Sequence, residues 1–598
     1  MSYTAGDGFG LANSVSGDAS LVRVHLDSVD LDSQQKVTFP SEGVTVIVGA
    51  NNSGKSTLLR NIFEFLSSGS SAFSSSNGVM LGASMTRNIE AADLYAWLME
   101  NAIRTDAAQG AYFAVDNQIF SEKNVWDGSH SHPFDALQDC HGLFVHHADT
   151  RNRLNFAFHH PGRDSVDEPA SSPFHRFQDE RDVFEKLNDL CSRIFNRNLL
   201  LDDFPGATIR IRVGKTTTPL PARNEPLGEF GKEVSMMPLL DDQGDGMRSL
   251  LSLMIPIVAG KHQIVIVDEP EAFLHPPQAR ALGRELGTAS KDTKKQIIVA
   301  THDRNFIAGL IESTAEITVI RLSRDARETK SAQLSSSQLR KVWDDRDLRY
   351  SNILDGLFSK LVVLCESDQD CRFYEAVLDQ RLAETRSSNP PILLADEVLF
   401  VPVNGKARFE KLVPILQSLQ VPVAVIADID LLREPSSALR LFSLLGGEPE
   451  SAKRDLTIAI SQFANASRPR FISDVARQIQ KTLESQVREN PEAQYDRQTK
   501  RLVDDALRPE VDRWSEPKRY GFKAFRGDAS RSLLAVIEKF DGVGLAIVEV
   551  GELEGFAPSI DKGRHWLPAA LDDGQHRAPA AFRQIDRILE FYRKTIFA

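Results

Sequence analysis

Residues 49–57 read GANNSGKST, and this short stretch decides the fold of the first half of the chain. It follows an apolar, strand-like run (Val44–Val48) and precedes a helical pattern that extends to about Leu66. The spacing G-x-x-x-x-G-K-[ST] between a strand and a helix lets backbone N–H groups wrap a phosphate, and the helix N-terminus adds partial positive charge. The predicted nucleotide-binding residues of this loop are Gly49, Asn51, Asn52, Ser53, Gly54, Lys55, Ser56 and Thr57.

Two of these residues, and two acids further along the chain, have predicted chemical roles. In loops of this type the lysine, here Lys55, contacts the β- and γ-phosphates of ATP, and the hydroxyl of Ser56 is a ligand of Mg²⁺. A second apolar run, Ile264–Val267, ends in Asp268 and Glu269. We expect Asp268 to complete the Mg²⁺ site and Glu269 to be the base that polarises the attacking water.

Two further motifs distinguish between families of phosphate-loop proteins. The stretch QGDGMRS at residues 243–249 opens a helix before the acidic strand, and ATHD at residues 300–303 ends the next strand. This order resembles ABC-type ATPase heads of the kind found in chromosome-maintenance and recombination-repair proteins. In such heads a signature loop of one protomer caps the γ-phosphate held by the other. The residues that the resemblance places at this phosphate are Ser249 or the backbone of Gly244 and Gly246, together with His302 as its sensor.

A second alternation of strands and helices begins near residue 360. The strand-like run Leu361–Cys365 ends at Glu366, which is followed by Asp370 at the start of a helix. A later apolar run ends in Asp428-Ile-Asp430. Open α/β sheets place their sites at the carboxyl ends of strands, so we expect these acids to converge. Crowded carboxylates repel one another without cations, and hard oxygen ligands suit Mg²⁺ or Mn²⁺.

This acidic pattern is similar to that of Toprim domains, the metal-dependent fold of type IIA topoisomerases, primases and some nucleases. Its marks are E-G-x-x-D after the first strand and a later D-x-D. Glu366, Asp370, Asp428 and Asp430 match these motifs, whereas Ser367 stands at the position of the glycine.

An ABC-type head followed by a Toprim domain resembles the OLD (overcoming lysogenization defect) family of nucleases, which includes the larger subunit of the Gabija anti-phage system. Asn404-Gly-Lys406 and the stretch VGELEG at residues 550–555 also resemble that family. The resemblance implies that Glu552 and Glu554 help to hold a second metal ion. Lys562 follows shortly after these acids, and we expect it to stabilise phosphate charge.

We therefore predict an α/β protein with two domains. A flexible leader at residues 1–19 precedes an ABC-type P-loop ATPase domain at residues 20–345. A Toprim domain with a Rossmann-like parallel sheet follows at residues 346–598, and a charged, helical insertion interrupts it at about residues 432–535. Residues 79–200 are expected to alternate between helical and irregular segments.

Composition limits the class of protein. The 598-residue chain is 41% hydrophobic and has a formal net charge of −13, which excludes a globally basic nucleic-acid coat protein but not an enzyme with a local basic stripe. Its apolar runs are too short for a membrane span, and its first residues predict no signal peptide. Four cysteines without a C-x-x-C pair fit a cytoplasmic protein.

These patterns predict an ATP-hydrolysing endonuclease that depends on Mg²⁺, with Mn²⁺ as the alternative at the Toprim site. We expect it to nick or cut DNA in anti-phage defence or DNA metabolism. The ATPase heads are expected to form a homodimer around two nucleotides, or a higher oligomer, with a helicase or effector protein as a further partner and no membrane.

Two alternatives stay open. One is a Toprim nuclease that acts on RNA such as tRNA, and the other is a non-catalytic, ATP-switched sensor or scaffold in a defence complex. Arg151 and Arg153, which follow a strand-like segment, also have two interpretations, a phosphate contact and a solvated turn.

Overall fold

The computed structural model divides the chain into two compact units, Met1–Phe358 and Ser359–Ala598. Nearly all of the predicted leader lies outside the residues that the structure describes. The described residues are 17–68, 78–107, 110–116, 118–122, 125, 137, 140–165, 167–204, 208–222, 225–313, 315–324, 328–344, 352–385, 393–418, 420–464, 471–489, 492, 494–507 and 514–597.

The centre of the first unit is a sheet that has six strands in the described part of the chain. Its neighbouring strands pair in parallel, except that the edge strand Thr329–Leu334 is antiparallel to its neighbour. Near-continuous apolar strands of this kind are typical of parallel sheets that are covered on both faces. In order across the sheet the strands are Thr329–Leu334, Ile317–Arg324, Gly43–Val48, Gln296–Ala300, Ile264–Asp268 and Val145–Ala148.

The helix after the phosphate loop shows how this core is packed. Helix Lys55–Ser68 buries apolar residues at helical spacing, including Leu58, Ile62 and Phe65. These side chains share one hydrophobic core with Ile298 of the central sheet. The helices described in the first unit are Lys55–Ser68, Ala91–Asn101, His141–Phe144, Thr150–Leu154, Pro173–Asp179, Arg181–Phe195, Gly228–Met236, Asp245–Val258, Pro276–Thr293, Arg304–Glu312 and Ser336–Asp344.

The expectation of helical and irregular structure over residues 79–200 is wrong, because that segment contributes strands to three antiparallel sheets. Met80–Asn88 pairs along nearly its whole length with Arg23–Leu31. Its sequence, MLGASMTRN, carries little apolar alternation, so the strand is specified by a partner that is distant in sequence. The three sheets contain Lys36–Thr38, Arg23–Leu31 and Met80–Asn88; Ile103–Ala107, Gly110–Val115 and Gln118–Ser121; and Leu199–Asp202, Thr208–Val213 and His159–Pro161.

The second unit is built on a parallel sheet with four described strands. Its order is Val398–Pro402, Leu361–Cys365, Val423–Ala427 and Leu545–Ile547. The described residues between 432 and 535 form helices and no strand. The helices of this unit are Asp368–Thr385, Phe409–Ser418, Pro435–Leu444, Pro449–Ala464, Ile472–Glu489, Arg497–Ala506, Ser515–Tyr520, Asp528–Gly542, Trp566–Asp572 and Pro579–Phe597.

Two further features agree with the composition of the chain. Across the residues that the structure describes, no helix combines the length and the apolar character needed to cross a membrane. Cys140, Cys191, Cys365 and Cys371 are buried, and no disulfide joins any of them.

Candidate functional site

The phosphate loop curls around its own lysine. Gly49 and Gly54 have φ angles of 149° and 93°, and a Cβ on Gly49 would lie 2.2 Å from the carbonyl oxygen of Leu322. Only glycine fits that position, because any side chain would collide with backbone. Lys55 Nζ donates hydrogen bonds to the carbonyl oxygens of Gly49 and Ala50 at 2.9 and 3.0 Å. The loop therefore holds the ammonium group over the space where a phosphate binds in such motifs.

The residues around the lysine fit a magnesium–nucleotide complex. Ser56 Oγ donates a hydrogen bond to Asp268 Oδ1 at 3.2 Å. Burial raises the pKa of Asp268, and the hydrogen bond from Ser56 opposes that shift. The buried Ser53 Oγ has no hydrogen-bond partner among the described residues. A hydroxyl and a carboxylate in contact are the donor set that holds Mg²⁺ in phosphate-loop sites. Asn51 and Asn52 are exposed in this loop, and Thr57 is partly buried in the first helical turn.

The predicted base, Glu269, and the predicted sensor, His302, lie next to each other and beside a third acid, Glu271. His302 Nδ1 lies 3.4 Å from Glu269 Oε1 and 3.4 Å from Glu271 Oε1. Glu271 is 6% exposed, and it accepts hydrogen bonds from Thr301 Oγ1 at 2.8 Å and from the His302 backbone N–H at 3.2 Å. Glu271 therefore fixes the loop that carries His302. The sequence pattern assigns no role to Glu271, although this residue closes the DEPE stretch at residues 268–271.

A buried arginine supports the turn that carries these acids. Arg153 is 2% exposed. Its Nη2 donates hydrogen bonds to the carbonyl oxygens of Asp268 and Glu269 at 3.2 and 2.6 Å, and its Nη1 donates to that of Pro270 at 3.1 Å. Arg153 is therefore neither a solvated residue nor free to bind phosphate, whereas its neighbour Arg151 is exposed.

The signature segment presents its backbone rather than its serine. Gly244 is the N-cap of helix Asp245–Val258. A Cβ on Gly246 would lie 2.8 Å from the Phe273 carbonyl oxygen. Ser249 is fully buried, and its Oγ donates a hydrogen bond to the Ala272 carbonyl oxygen at 3.4 Å. Of the two predicted capping groups, the structure favours the Gly244–Gly246 backbone.

The acids predicted in the second unit lie together at the carboxyl edge of its sheet. Glu366 follows the strand Leu361–Cys365, and Asp428 follows the neighbouring strand Val423–Ala427. These strands pair in parallel, so their carboxyl ends coincide. The Asp428 backbone N–H donates a hydrogen bond to Glu366 Oε1 at 3.1 Å. Residues more than sixty positions apart in sequence are thus in direct contact.

The carboxylates are close enough to shift one another's pKa values. The pKa of Asp428 is raised to about 9, first by burial and then by the charges of Glu366, Asp370 and Glu552. Burial also raises the pKa of Asp370, and the charge of Glu554 adds to that effect. An environment that disfavours negative charge so strongly is one in which a divalent cation would be stabilising.

Lysine side chains neutralise the outer members of this group. Lys406 Nζ and Lys518 Nζ lie 3.3 and 2.5 Å from Asp430 Oδ2, and Lys562 pairs with Glu552. Burial alone would raise the pKa of Asp430, but the two lysines outweigh it and the pKa is lowered. In the described part of the chain, no three His, Cys, Asp or Glu side chains form a group arranged to hold a metal ion. The sequence pattern gave Lys406 and Lys518 no role at Asp430.

The serine that departs from the Toprim motif holds the second acid of that motif. Ser367 donates hydrogen bonds to Asp370 Oδ2 from its backbone N–H at 2.8 Å and from its Oγ at 2.6 Å. Lys406 lies in the turn after strand Val398–Pro402. Gly405, directly before it, has a φ of 130°, a backbone conformation that favours glycine. The acids and the lysine predicted for this site therefore belong to one network of contacts and charges. Its members are Glu366, Asp370, Asp428, Asp430, Glu552, Glu554 and Lys562.

Comparison with protein families divides the chain in the same way. The family described as "AAA domain, putative AbiEii toxin, Type IV TA system" matches residues 104–308. The family described as "Overcoming lysogenization defect protein-like, TOPRIM domain" matches residues 357–430. The first match contains the acidic strand and His302, and the second contains Glu366 and the Asp428-Ile-Asp430 motif. The predicted fold class, a P-loop ATPase domain followed by a Toprim domain, is confirmed.

Individual relatives are distant. The Old nuclease of Escherichia phage P2 is 23% identical over 175 residues, which are 28% of this chain and 28% of the phage protein. The chain thus matches little more than a quarter of that relative's length. Among solved structures, an SMC head bound to the C-winged helix domain of ScpA has a TM-score of 0.30 and 15% identity, covering 54% of this chain and 99% of the other. The SMC head domain from Thermotoga maritima has a TM-score of 0.26 and 14% identity, covering 52% and 98%.

Proposed function

We propose that this chain, which has the ATPase–Toprim architecture of the OLD family, is a divalent-metal-dependent endonuclease whose activity is controlled by ATP. The observation that carries the proposal is the contact between Glu366 and Asp428 at the ends of two neighbouring parallel strands, within a group of partly buried carboxylates. We place it in the cytoplasm, in anti-phage defence or DNA metabolism.

In the ATPase domain, Lys55 would neutralise the β- and γ-phosphates of ATP, and Ser56 and Asp268 would hold Mg²⁺. Glu269 accepts a proton from the attacking water, and His302 at 3.4 Å from Glu269 reports the presence of the γ-phosphate. Hydrolysis by the proposed homodimer requires a second copy, because the N-terminus of helix Asp245–Val258 caps the γ-phosphate held by its partner.

In the Toprim domain, carboxylates on different loops would share the metal ions. The proposed ligands are Glu366, Asp370, Asp428, Asp430, Glu552 and Glu554. Bound Mg²⁺ or Mn²⁺ supplies a more acidic water and neutralises the charge that develops on phosphate. Lys562, which is paired with Glu552, is the side chain that we propose to stabilise the substrate phosphate.

The proposed substrate is DNA. Several basic side chains of the helical insertion are exposed and can follow a nucleic-acid backbone without reading its sequence. They include Lys500, Arg519, Lys523 and Arg526. RNA such as tRNA is the alternative substrate that the experiment must separate from DNA.

The test is a cleavage assay with the full-length protein. Supercoiled plasmid and tRNA are incubated with Mg²⁺ or Mn²⁺, with and without ATP, and nicked or shortened products are quantified. Asp428→Asn keeps the shape of the side chain but removes its charge, so plasmid cleavage should fall at least a hundredfold. Asp528→Asn, at an exposed residue that pairs with Arg531, is the matched control and should cleave at the normal rate.

Three results would contradict the proposal. Metal-dependent cleavage that survives Asp428→Asn would place the nuclease site elsewhere. Cleavage of tRNA without cleavage of plasmid would replace DNA by RNA as the substrate. Normal ATP hydrolysis without cleavage of either substrate would favour an ATP-switched sensor over a nuclease.

A further inference from the structure

A second concave site lies in the ATPase unit, at the amino edge of its central sheet. It is a cavity of about 570 Å³. Its wall includes three residues that directly precede parallel strands, namely Glu42, Gln263 and Lys295. The phosphate loop follows the carboxyl end of one of these strands. That strand, Gly43–Val48, has six residues and rises ~3.3 Å per residue, so it separates the two edges by roughly 20 Å, and the cavity is distinct from the ATP site.

The wall of this cavity carries an excess of positive charge. Five lysine and arginine residues line it against two acids, Glu42 and Asp292. The cations are Arg23, Arg176, Lys261, Lys294 and Lys295. Because the whole chain has a formal net charge of −13, this concentration of cations is not the background composition of the surface. A wall with this charge attracts an anionic ligand rather than a cationic or an apolar one.

The floor of the cavity is a built structure and not a group of surface side chains. Lys295 and His262 line it, although they are only 7% and 4% exposed. Lys295 Nζ donates hydrogen bonds to the carbonyl oxygens of Pro256 and Gly260 at 2.9 and 2.8 Å. An ammonium group has three protons, so the charged form of Lys295 keeps one donor beyond these two hydrogen bonds. Buried His262 Nδ1 lies 3.5 Å from a carboxylate oxygen of Asp116 behind it.

The cations in this wall disfavour one another. Burial lowers the pKa of Lys295 to about 7, the charge of Asp116 opposes this shift, and the charges of Arg176 and Lys261 lower it further. Burial also lowers the pKa of Lys261, with Arg176 adding to the effect. A bound anion would relieve this repulsion and favour the charged form of both lysines.

We propose that this cavity binds a small anion that carries phosphate groups, such as inorganic phosphate, pyrophosphate or a free nucleotide. Its volume is in the range of small-molecule sites, which hold their ligands with a few convergent polar groups. Several lysine and arginine donors around one concave wall suit phosphate oxygens. A nucleic-acid duplex is too wide to place its backbone against a side chain as buried as Lys295, so it would touch only the rim. This site does not depend on the nuclease activity proposed above.

The test is isothermal titration calorimetry on the full-length Lys55→Ala variant, in which the ATP site is disabled. Pyrophosphate is the main probe, and inorganic phosphate and AMP distinguish the source of the phosphate. We expect one pyrophosphate per chain. Neutralising two cavity cations, Lys261→Gln with Lys294→Gln, should weaken binding at least tenfold. Neutralising two exposed lysines outside the cavity, Lys36→Gln with Lys215→Gln, should change the affinity less than twofold.

Several outcomes overturn this proposal. A failure of pyrophosphate to bind the Lys55→Ala variant would overturn it directly. Equal weakening of pyrophosphate binding by the control pair would also overturn it, since binding would then reflect the total charge of the protein. If the cavity pair weakens retention of duplex DNA but leaves pyrophosphate binding unchanged, the basic wall contacts nucleic acid instead. Circular dichroism of both pairs confirms that they are folded, and Lys295→Met provides an independent variant on the floor of the cavity.

Discussion

Replacing Arg153 by methionine tests whether the ATP site depends on a backbone clamp. The guanidinium donates hydrogen bonds to the carbonyl oxygens of Glu269, Pro270 and Asp268 at 2.6, 3.1 and 3.2 Å. Glu269 has a φ of 48°, a conformation that costs an L-residue about 1–3 kcal/mol. Methionine fills the same apolar volume but cannot donate a hydrogen bond. We expect the turn to relax and the Glu269 carboxylate to leave the position that a base requires.

The size of the effect follows from these three contacts. A hydrogen bond to a charged group contributes roughly 1.5–3 kcal/mol. The three bonds share one buried guanidinium whose desolvation is itself unfavourable, so they do not add, and we expect a loss of about 3 kcal/mol in the free energy of unfolding. A barrier raised by about 1.4–2.7 kcal/mol lowers kcat for ATP hydrolysis tenfold to a hundredfold.

The assay separates positioning from folding and from binding. Steady-state ATP hydrolysis gives kcat, a fluorescent nucleotide gives the affinity for ATP, and denaturant unfolding gives the stability. For Arg153→Met, kcat should fall while the nucleotide affinity stays within about threefold, because the phosphate loop is untouched. Arg151→Met, at an exposed neighbour on the same helix, is the control. An unchanged kcat at saturating ATP, in a variant that is destabilised as expected, would refute the reasoning.

Three further predictions concern other parts of the chain. Lys518→Met should lower the Mn²⁺ concentration for half-maximal DNA cleavage about tenfold, because one cation no longer competes for Asp430; an increase would contradict this. Ser249→Ala should leave ATP hydrolysis within twofold, since its hydroxyl is buried, whereas Gly246→Ala should reduce hydrolysis at least tenfold by colliding with a carbonyl. Glu233 accepts two backbone hydrogen bonds that lower its pKa to about 2. Its stabilising effect is therefore present above pH ~4.5 and lost as the pH falls towards 2, and unfolding of Glu233→Gln and the unaltered protein at pH 6 and pH 3 measures this difference.

The nucleotide site could be predicted from the sequence because its information is local. The phosphate loop needs glycine at positions such as Gly54, a lysine and a hydroxyl within a few residues, and a strand and a helix on either side. The structure bears out this context, with helix Lys55–Ser68 following strand Gly43–Val48. The Toprim acids were predictable for a related reason, since the strands Leu361–Cys365 and Val423–Ala427 are apolar and are followed directly by Glu366 and Asp428.

The missed features depend on partners that are distant in sequence. Met80–Asn88 is a strand because Arg23–Leu31 lies beside it, and its own composition does not favour a strand. Arg153 supports residues more than a hundred positions later, so spacing alone could not separate a clamp from a solvated turn. Lys518 belongs to a helix of the predicted insertion, where a charged residue is ordinarily assigned to solvent, and only the fold brings it to Asp430.

The two sites use lysine in opposite electrostatic settings, and this difference suggests how each changes on binding. Lys55 is held by carbonyl oxygens, which are neutral, so an arriving phosphate gains the ammonium without displacing a charged partner. Lys518 and Lys562 are held by the carboxylates of Asp430 and Glu552, and a divalent cation must compete with them. Once a cation takes those carboxylates, the freed ammonium groups need a new anionic partner, and the nearest one available to them would be the phosphate of the substrate. Metal and nucleic acid should therefore bind the Toprim domain cooperatively. Titration of Mn²⁺ with and without a short duplex would show this as an increase in metal affinity, and identical affinities would exclude it.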